Sequence, residues 1–355
     1  MTGMLYIVVG GLYGSEGKGA LCAHLADALE PQSLVIRTGG PQAGHTAYDR
    51  AGNRHQLRMI GTPAVRRNDL MMALAPRSVV DPLVLADECH RLNREVHVDP
   101  HATWLQYRHI TAEQDEATLL TGSTRKGVGA ARVDRLNRAA LTMGQWRDSG
   151  DHPGMELIRI TDIAGAAQST LAGGADVFIE AAQGYGLGLH TQCYPATTSA
   201  DCTAIDALAD CRISPWALDV VPQVWVVLRP YPIRIAGNSG PLYRETSWDE
   251  LGLPEERTTV TNKVRRVGHW DPALARRAVK ANGGSTVRIA LMMMDQVVPA
   301  VRGMTRPGDL AGLSGTEDVK LVEWIQRVSR DTGAKVHAIG TGPDTMVFLA
   351  PLRRG

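Results

Sequence analysis

Short, almost wholly apolar runs alternate along this chain with longer stretches of helical spacing. Leu5-Tyr6-Ile7-Val8-Val9 is the first run, and Ser33–Arg37, Ala175–Glu180, Val224–Leu228, Thr286–Leu291 and Lys335–Ile339 repeat the pattern. Apolar runs of this length without polar alternation predict strands covered on both faces, as in a parallel sheet. Between them, Ala20–Leu29 has helical spacing. Asp81-Pro82 and Asp271-Pro272 each set a capping carboxylate before a proline at the first helical position, and the second of these helices is expected to end at Asn282-Gly283. Thr316-Glu317-Asp318 opens a further helix, with Leu321, Ile325 and Val328 on one face and Gly333 after it. The expected fold is α/β, a mostly parallel central sheet flanked by helices. The segment Tyr48–Gln56 predicts an inserted hairpin, within about 47–60 of one domain spanning 1–355.

Composition narrows the classes. A hydrophobic content of 44% and a charged content of 21% suit a globular protein, and a net charge of +1 gives no basis for nucleic-acid or membrane binding. No apolar run approaches a membrane span. No basic leader precedes the first strand, and five cysteines occur with no CxxC pair, which together predict a reduced, cytoplasmic protein. The nine-residue spacing of Cys193, Cys202 and Cys211 does not match common zinc sites.

The chemistry begins after the first strand, at Gly10-Gly11-Leu12-Tyr13-Gly14-Ser15-Glu16-Gly17-Lys18-Gly19. Strand, glycine loop, lysine and helix form a phosphate cradle: backbone N–H groups turn toward an anion, and the helix N-terminus and Lys18 add positive charge. The G-x5-G-K spacing is one residue longer than the usual P-loop. Gly19 stands where a Ser or Thr would hold magnesium. Past the second strand, Gly39–Thr46 places His45 at the carboxyl end of the sheet, where ligands bind. Thr121–Gly129 combines hydroxyls, glycines and two cations, which suits a second phosphate or a solvated loop. Glu180–Gly186 puts Gln183 directly after a strand, in a functional or a structural turn. Thr258–Arg266 is cationic and hydroxyl-rich, fit for a carboxylate or phosphate ligand or for solvent.

Taken in order, these segments resemble adenylosuccinate synthetase over nearly the full length. The family's GDEGKG, GGxNAGHT, GTTGRGIG, GAQG with YPxVTSS, arginine-rich loop, KxD and STGP have counterparts at Gly14–Gly19, Gly40–Thr46, Gly122–Gly129, Ala182–Gly184 with Tyr194–Ser199, Lys263–Arg266, Met293–Asp295 and Gly340–Pro343. Four positions depart: Ser15 replaces the family aspartate, Gln42 an asparagine, Met293 a lysine and Gly340 a serine. Serine for aspartate resembles the phage branch, the 2-aminoadenylosuccinate synthetases, which take dGMP in place of IMP.

The resemblance implies a ligase that phosphorylates purine O6 and then lets the amine of L-aspartate displace phosphate at C6, leading to 2-aminoadenine in phage DNA. It assigns the triphosphate to Gly14, Glu16, Gly17, Lys18, Gly19, Gly44, His45 and Thr46, and the far end of that nucleotide to Asp295, Gly340, Thr341, Gly342 and Pro343. It assigns dGMP to Ser15, Gln42, Ala43, Ser123, Thr124, Gln183 and Thr198, with Arg138 reaching across a homodimer. Val260, Thr261, Asn262, Lys263, Arg265 and Arg266 fall to aspartate. Ser15 and Gly44 fall to Mg2+, and the catalytic roles fall to Ser15, Lys18, His45 and Gln183. ATP or dATP is the expected donor ahead of GTP. A serine hydroxyl is no base at neutral pH without a partner. Either another group or water takes the N1 proton, or Ser15 chiefly makes room for the guanine 2-amino group. The competing expectations are an ordinary IMP- and GTP-using synthetase and, from another class, a P-loop nucleotide-binding regulator.

Overall fold

The computed structural model describes residues 2–114, 123–217, 220–258 and 263–352. Leu5–Gly10 (β1) lies inside a ten-stranded sheet, paired in parallel with Val177–Glu180 on one side and Gln223–Leu228 on the other. Beyond Val177–Glu180 come Leu34–Arg37 (β2), Met71–Leu74, Val96–Val98 and Ile158–Ile160. Beyond Gln223–Leu228 come Arg288–Leu291, Val336–Gly340 and Met346–Phe348. Only the edge strand Met346–Phe348 runs antiparallel within this sheet. Side-chain alternation explains the unbroken apolar runs. Leu5, Ile7 and Val9 enter the core on one face, and Tyr6 and Val8 enter the core on the other.

The helix signals act as the spacing predicts. Asp81 accepts from the Leu83 and Val84 amides ahead of Pro82–Leu92, and Asp271 accepts from the Leu274 amide ahead of Pro272–Ala281. Thr316–Thr332 buries Leu321 and Val328 and ends at Gly333 in the left-handed region. Two strands start two residues later than the sequence predicts, at Val177 and at Arg288, and for the second the cause is a turn. Gly283 turns the chain with φ 128, Gly284–Thr286 forms a 3-10 turn, and the strand starts only at Arg288. The inserted hairpin pairs His45–Tyr48 (β3) with Arg54–Leu57 (β4), so it reaches back to include His45 itself. A small antiparallel sheet of Ile233–Arg234, Arg266–Gly268 and Glu245–Thr246 follows the strand Gln223–Leu228. Among the described residues, no helix is long and apolar enough to cross a membrane.

Candidate active site

The site lies at the carboxyl ends of β1, β2 and their neighbours, where loops on either side of β1 part company. Gly14, Ser15 and Gly17 all have positive φ, at 81, 56 and 92. Successive left-handed turns of this kind aim amides into one concavity. The helix Lys18–Leu25 starts from Gly17 with no side-chain cap, so its first amides remain available to an anion. The loop is tightly packed from behind. A Cβ on Gly10 would lie 2.6 Å from the Gln183 carbonyl oxygen and 2.8 Å from Lys18 Nζ. That closeness brings the phosphate loop, Lys18 and Gln183 together and requires glycine at position 10.

Glu16 is placed differently from its expected role on the triphosphate. Its carboxylate is fully buried, accepts from the Leu12 and Gly14 amides at 3.0 and 2.8 Å, and pairs with Lys18 Nζ at 2.7 Å. A carboxylate so engaged shapes the loop and aims the lysine, and it would repel a phosphate if it faced one. Ser15 is exposed, and its carbonyl accepts from Arg229 at 3.1 Å.

His45 is buried at the start of β3 and bonds through Nδ1 to Glu180, the last residue of its strand. Glu180 also accepts from Arg37 at 2.8 Å and from the Thr62 amide at 2.7 Å. Burial works against the Glu180 carboxylate, but Arg37, His45 and Thr62 hold it below the usual carboxylate range. Burial first, and then the Arg37 guanidinium, push the His45 imidazole down to about 4, against the pull of Glu180. The Arg37 guanidinium also lies against the ring, with Nη1 2.5 Å from Nδ1 and 3.4 Å from Nε2; a neutral ring that gives its Nδ1 proton to Glu180 keeps a lone pair on Nε2, facing that guanidinium. Nε2 is then an acceptor in the ligand-free protein, and it donates to a phosphoryl group only once protonated.

The remaining expected residues surround this centre unevenly. Gln42 has both amide atoms buried without a protein partner, whereas Ala43 gives its carbonyl to Arg37 at 2.9 Å. Gly44 is exposed, and a Cβ there would meet nothing within 4 Å. Thr46 pairs with Gln56 in the hairpin, and its carbonyl packs against Gly19. Ser123 accepts from the Arg125 amide at 3.1 Å, Thr124 is exposed, and the Thr198 amide donates to Leu187 at 2.8 Å. Gln183 holds φ 56 and lines a small cavity with Thr38, Arg132 and Asp210. Arg138 is exposed, with Nη1 donating to its own Leu136 carbonyl.

At the far end, Asp295 is bound by Arg302 at 3.0 Å, and the buried Thr341 hydroxyl donates to Met304 at 2.6 Å. Gly340 has a steric reason for replacing serine: a Cβ would lie 2.9 Å from Met292 Cε and 3.0 Å from the Met293 nitrogen. Gly342 and Pro343 form the exposed-side turn that follows. In the basic loop, Lys263 is exposed, and the Arg265 guanidinium has no hydrogen bond among the described residues. Arg266 departs from expectation. Its guanidinium is taken up by Glu245 at 2.7 and 2.5 Å and by oxygens of Gly237, Ser239 and Gly240, so it braces the small sheet. Val260, Thr261 and Asn262 lie outside the described residues, as does Gly122.

Arg37, Glu180 and Arg229 were not singled out by sequence. One signal marks all three: Arg37 and Glu180 are charged residues closing apolar strands at the carboxyl end, and Arg229 directly follows one.

The family model for adenylosuccinate synthetase matches residues 7–155 and 155–301. The adenylosuccinate synthetase of Archaeoglobus fulgidus is 31% identical over 345 residues, covering 95% of each chain. That of Methanocaldococcus jannaschii is 32% identical over 349 residues, covering 95% of this chain and 94% of its own. Among solved structures, the succinoaminodeoxyadenylate synthetase of cyanophage S-2L, bound to dGMP and to dATP as energy donor, superposes with a TM-score of 0.82. It is 27% identical and covers 99% of this chain and 97% of its own. The adenylosuccinate synthetase of Plasmodium falciparum, at 17% identity and a TM-score of 0.80, shares the fold over 98% of this chain and 100% of its own. The chain belongs to the adenylosuccinate synthetase family of carbon–nitrogen ligases.

Proposed function

We propose that this ligase joins L-aspartate to C6 of dGMP, with ATP or dATP as phosphoryl donor, to give 2-amino-2'-deoxyadenylosuccinate. The observation that carries this is Ser15, an exposed hydroxymethyl group on the phosphate loop where the family keeps a carboxylate. The full-length likeness to a phage synthetase bound to dGMP and dATP supports it. A short side chain leaves room for the guanine 2-amino group.

In this proposal the amides of Ser15–Gly19 and the N-terminus of Lys18–Leu25 receive the triphosphate, with Lys18 aimed by Glu16. Reaction at phosphorus depends mainly on position and charge. The purine O6 forms a bond to the γ-phosphorus, the bond to the nucleoside diphosphate breaks, and the N1 proton passes to a water molecule in the site. His45, backed by Glu180, presents Nε2 to the same region, where it can hold a proton against the transferring group. Gln183 orients the base through an amide that both donates and accepts. Gln42, with its unpartnered amide, and Ser123, Thr124 and Thr198 serve the monophosphate, joined by Arg138 from a second copy of the chain. Lys263 and Arg265 hold the carboxylates of aspartate, whose amine then displaces phosphate.

Mg2+ fits as an ion carried largely by substrate oxygens. No group of three His, Cys, Asp or Glu side chains able to hold a metal occurs among the described residues, and the nearby Glu16 carboxylate is spent on Lys18. The open Gly44 carbonyl and the Ser15 hydroxyl are the protein oxygens available to it. When bound, the ion offsets negative charge on the phosphates.

Phosphate release measured with dATP and L-aspartate tests the proposal. Turnover is expected with dGMP and not with IMP, and turnover confined to IMP would overturn it.

A further inference from the structure

Arg229 follows the strand Gln223–Leu228 directly and is fully buried. Its guanidinium joins two segments that serve different substrates. Nη1 donates to the Ser15 carbonyl in the phosphate loop at 3.1 Å. Nη1 and Nη2 together hold the two carboxylate oxygens of Glu256 in a fork. Gln296, next to Asp295, completes the network by donating to Glu256 Oε1 at 3.1 Å. Glu256 stands at the neck of the basic loop: its carbonyl accepts from the Arg265 amide at 2.8 Å, and Arg257 bridges to Val264 beside it.

The arrangement is mechanically asymmetric. Arg229 is planted at the end of a sheet strand, and of its three partners Ser15 and Glu256 belong to loops, while Gln296, whose Oε1 accepts from Nη2 at 3.4 Å, lies in the short turn Met294–Gln296. Ser15 holds φ 56, a conformation that a residue with a side chain keeps only when its surroundings fix it. The Arg229 guanidinium supplies one such constraint, and its orientation depends on Glu256. A displacement at the neck of the basic loop therefore tilts the fork and loosens the Ser15 carbonyl.

We infer that Arg229 is a positioning residue that couples the aspartate-binding loop to the phosphate loop, so that aspartate and the triphosphate strengthen each other's binding through the Ser15–Arg229–Glu256 bridge. This rests on the proposed assignment of Lys263 and Arg265 to aspartate. Coupling of this kind is reciprocal: whatever factor aspartate adds to nucleotide affinity, nucleotide adds to aspartate affinity.

Calorimetric titration of the full chain with a non-hydrolysable dATP analogue, at saturating dGMP and with or without L-aspartate, tests the inference. In the wild-type protein aspartate is expected to tighten the analogue roughly five-fold or more. In Arg229→Lys, which keeps a cation but cannot span both partners, that factor is expected to fall toward one while the unfolding transition remains cooperative. Glu256→Gln keeps the shape and removes the charge; it is expected to behave alike and serves as the test if Arg229→Lys does not fold. A factor near one in the wild type, or an undiminished factor in a folded variant, would overturn the coupling. Failure of the functional proposal is separable, because it appears as no aspartate-dependent product from dGMP in the wild type.

Discussion

At the residue scale, the proposed part of Ser15 in purine choice can be tested directly. Its left-handed backbone is one that aspartate also tolerates, so Ser15→Asp changes side-chain bulk and charge with little change in backbone strain. The variant is expected to shift the ratio of kcat/KM for dGMP over IMP toward IMP by roughly 10- to 100-fold, the range a misfit of one small group produces. Steady-state kinetics with both nucleotides checks this, and an unchanged ratio would show that volume at this position does not set the preference. Asp210 offers a separate test. Burial pushes its carboxyl up to about 6, opposed by Arg132 and Arg77. A folded-state value above the ordinary 3.8 means that the folded protein binds the extra proton, so stability is lost as pH rises from about 4 through 6. A shift of this size is worth on the order of 3 kcal/mol. Asp210→Asn should flatten that slope in urea unfolding measured at pH 4 and pH 7, and should be the more stable protein at pH 7.

At the element scale, the central strands hold the site. Phe178 is fully buried between β1 and β2 and tilts against Tyr6 at a ring-centre distance of 6.2 Å. Phe178→Ala should cost about 3–5 kcal/mol in urea unfolding, because a parallel sheet covered on both faces cannot collapse around the cavity. Local signals made these elements legible. Apolar runs marked the strands, and Asp81, Asp271 and Gly333 marked helix ends, because capping depends on residues a few positions apart. The strand before Leu291 was over-extended because the turn at Gly283–Thr286 competes with the apolar pattern. His45 could be placed near the phosphate loop from its position after a strand. Its bond to Glu180 could not, since it joins residues 135 apart and depends on Val177–Glu180 lying between β1 and β2. The engagement of Arg266 was hidden for the same reason. A cationic run shows charge, but the pairing of Arg266–Gly268 with Glu245–Thr246 decides which arginine is consumed.

At the scale of the whole molecule, the sheet brings together loops from distant parts of the chain. Ser15 and Arg229 are 214 residues apart and share a hydrogen bond, and His45 meets Glu180 on the other flank of β1. Each flank places one buried arginine in an ion pair beside the phosphate loop, Arg229 with the half-buried Glu256 and Arg37 with the buried Glu180. Under the proposed two-step reaction, one side would steady phosphoryl transfer and the other would connect it to the amine donor. A nucleotide switch would need the phosphate loop and not the second flank. The most direct test is the mass of the product formed when dGMP and IMP are offered together with dATP and L-aspartate. The expected product is dGMP with its 6-oxygen replaced by the aspartate nitrogen, with IMP left unchanged. Succinylated IMP alongside untouched dGMP would contradict the account.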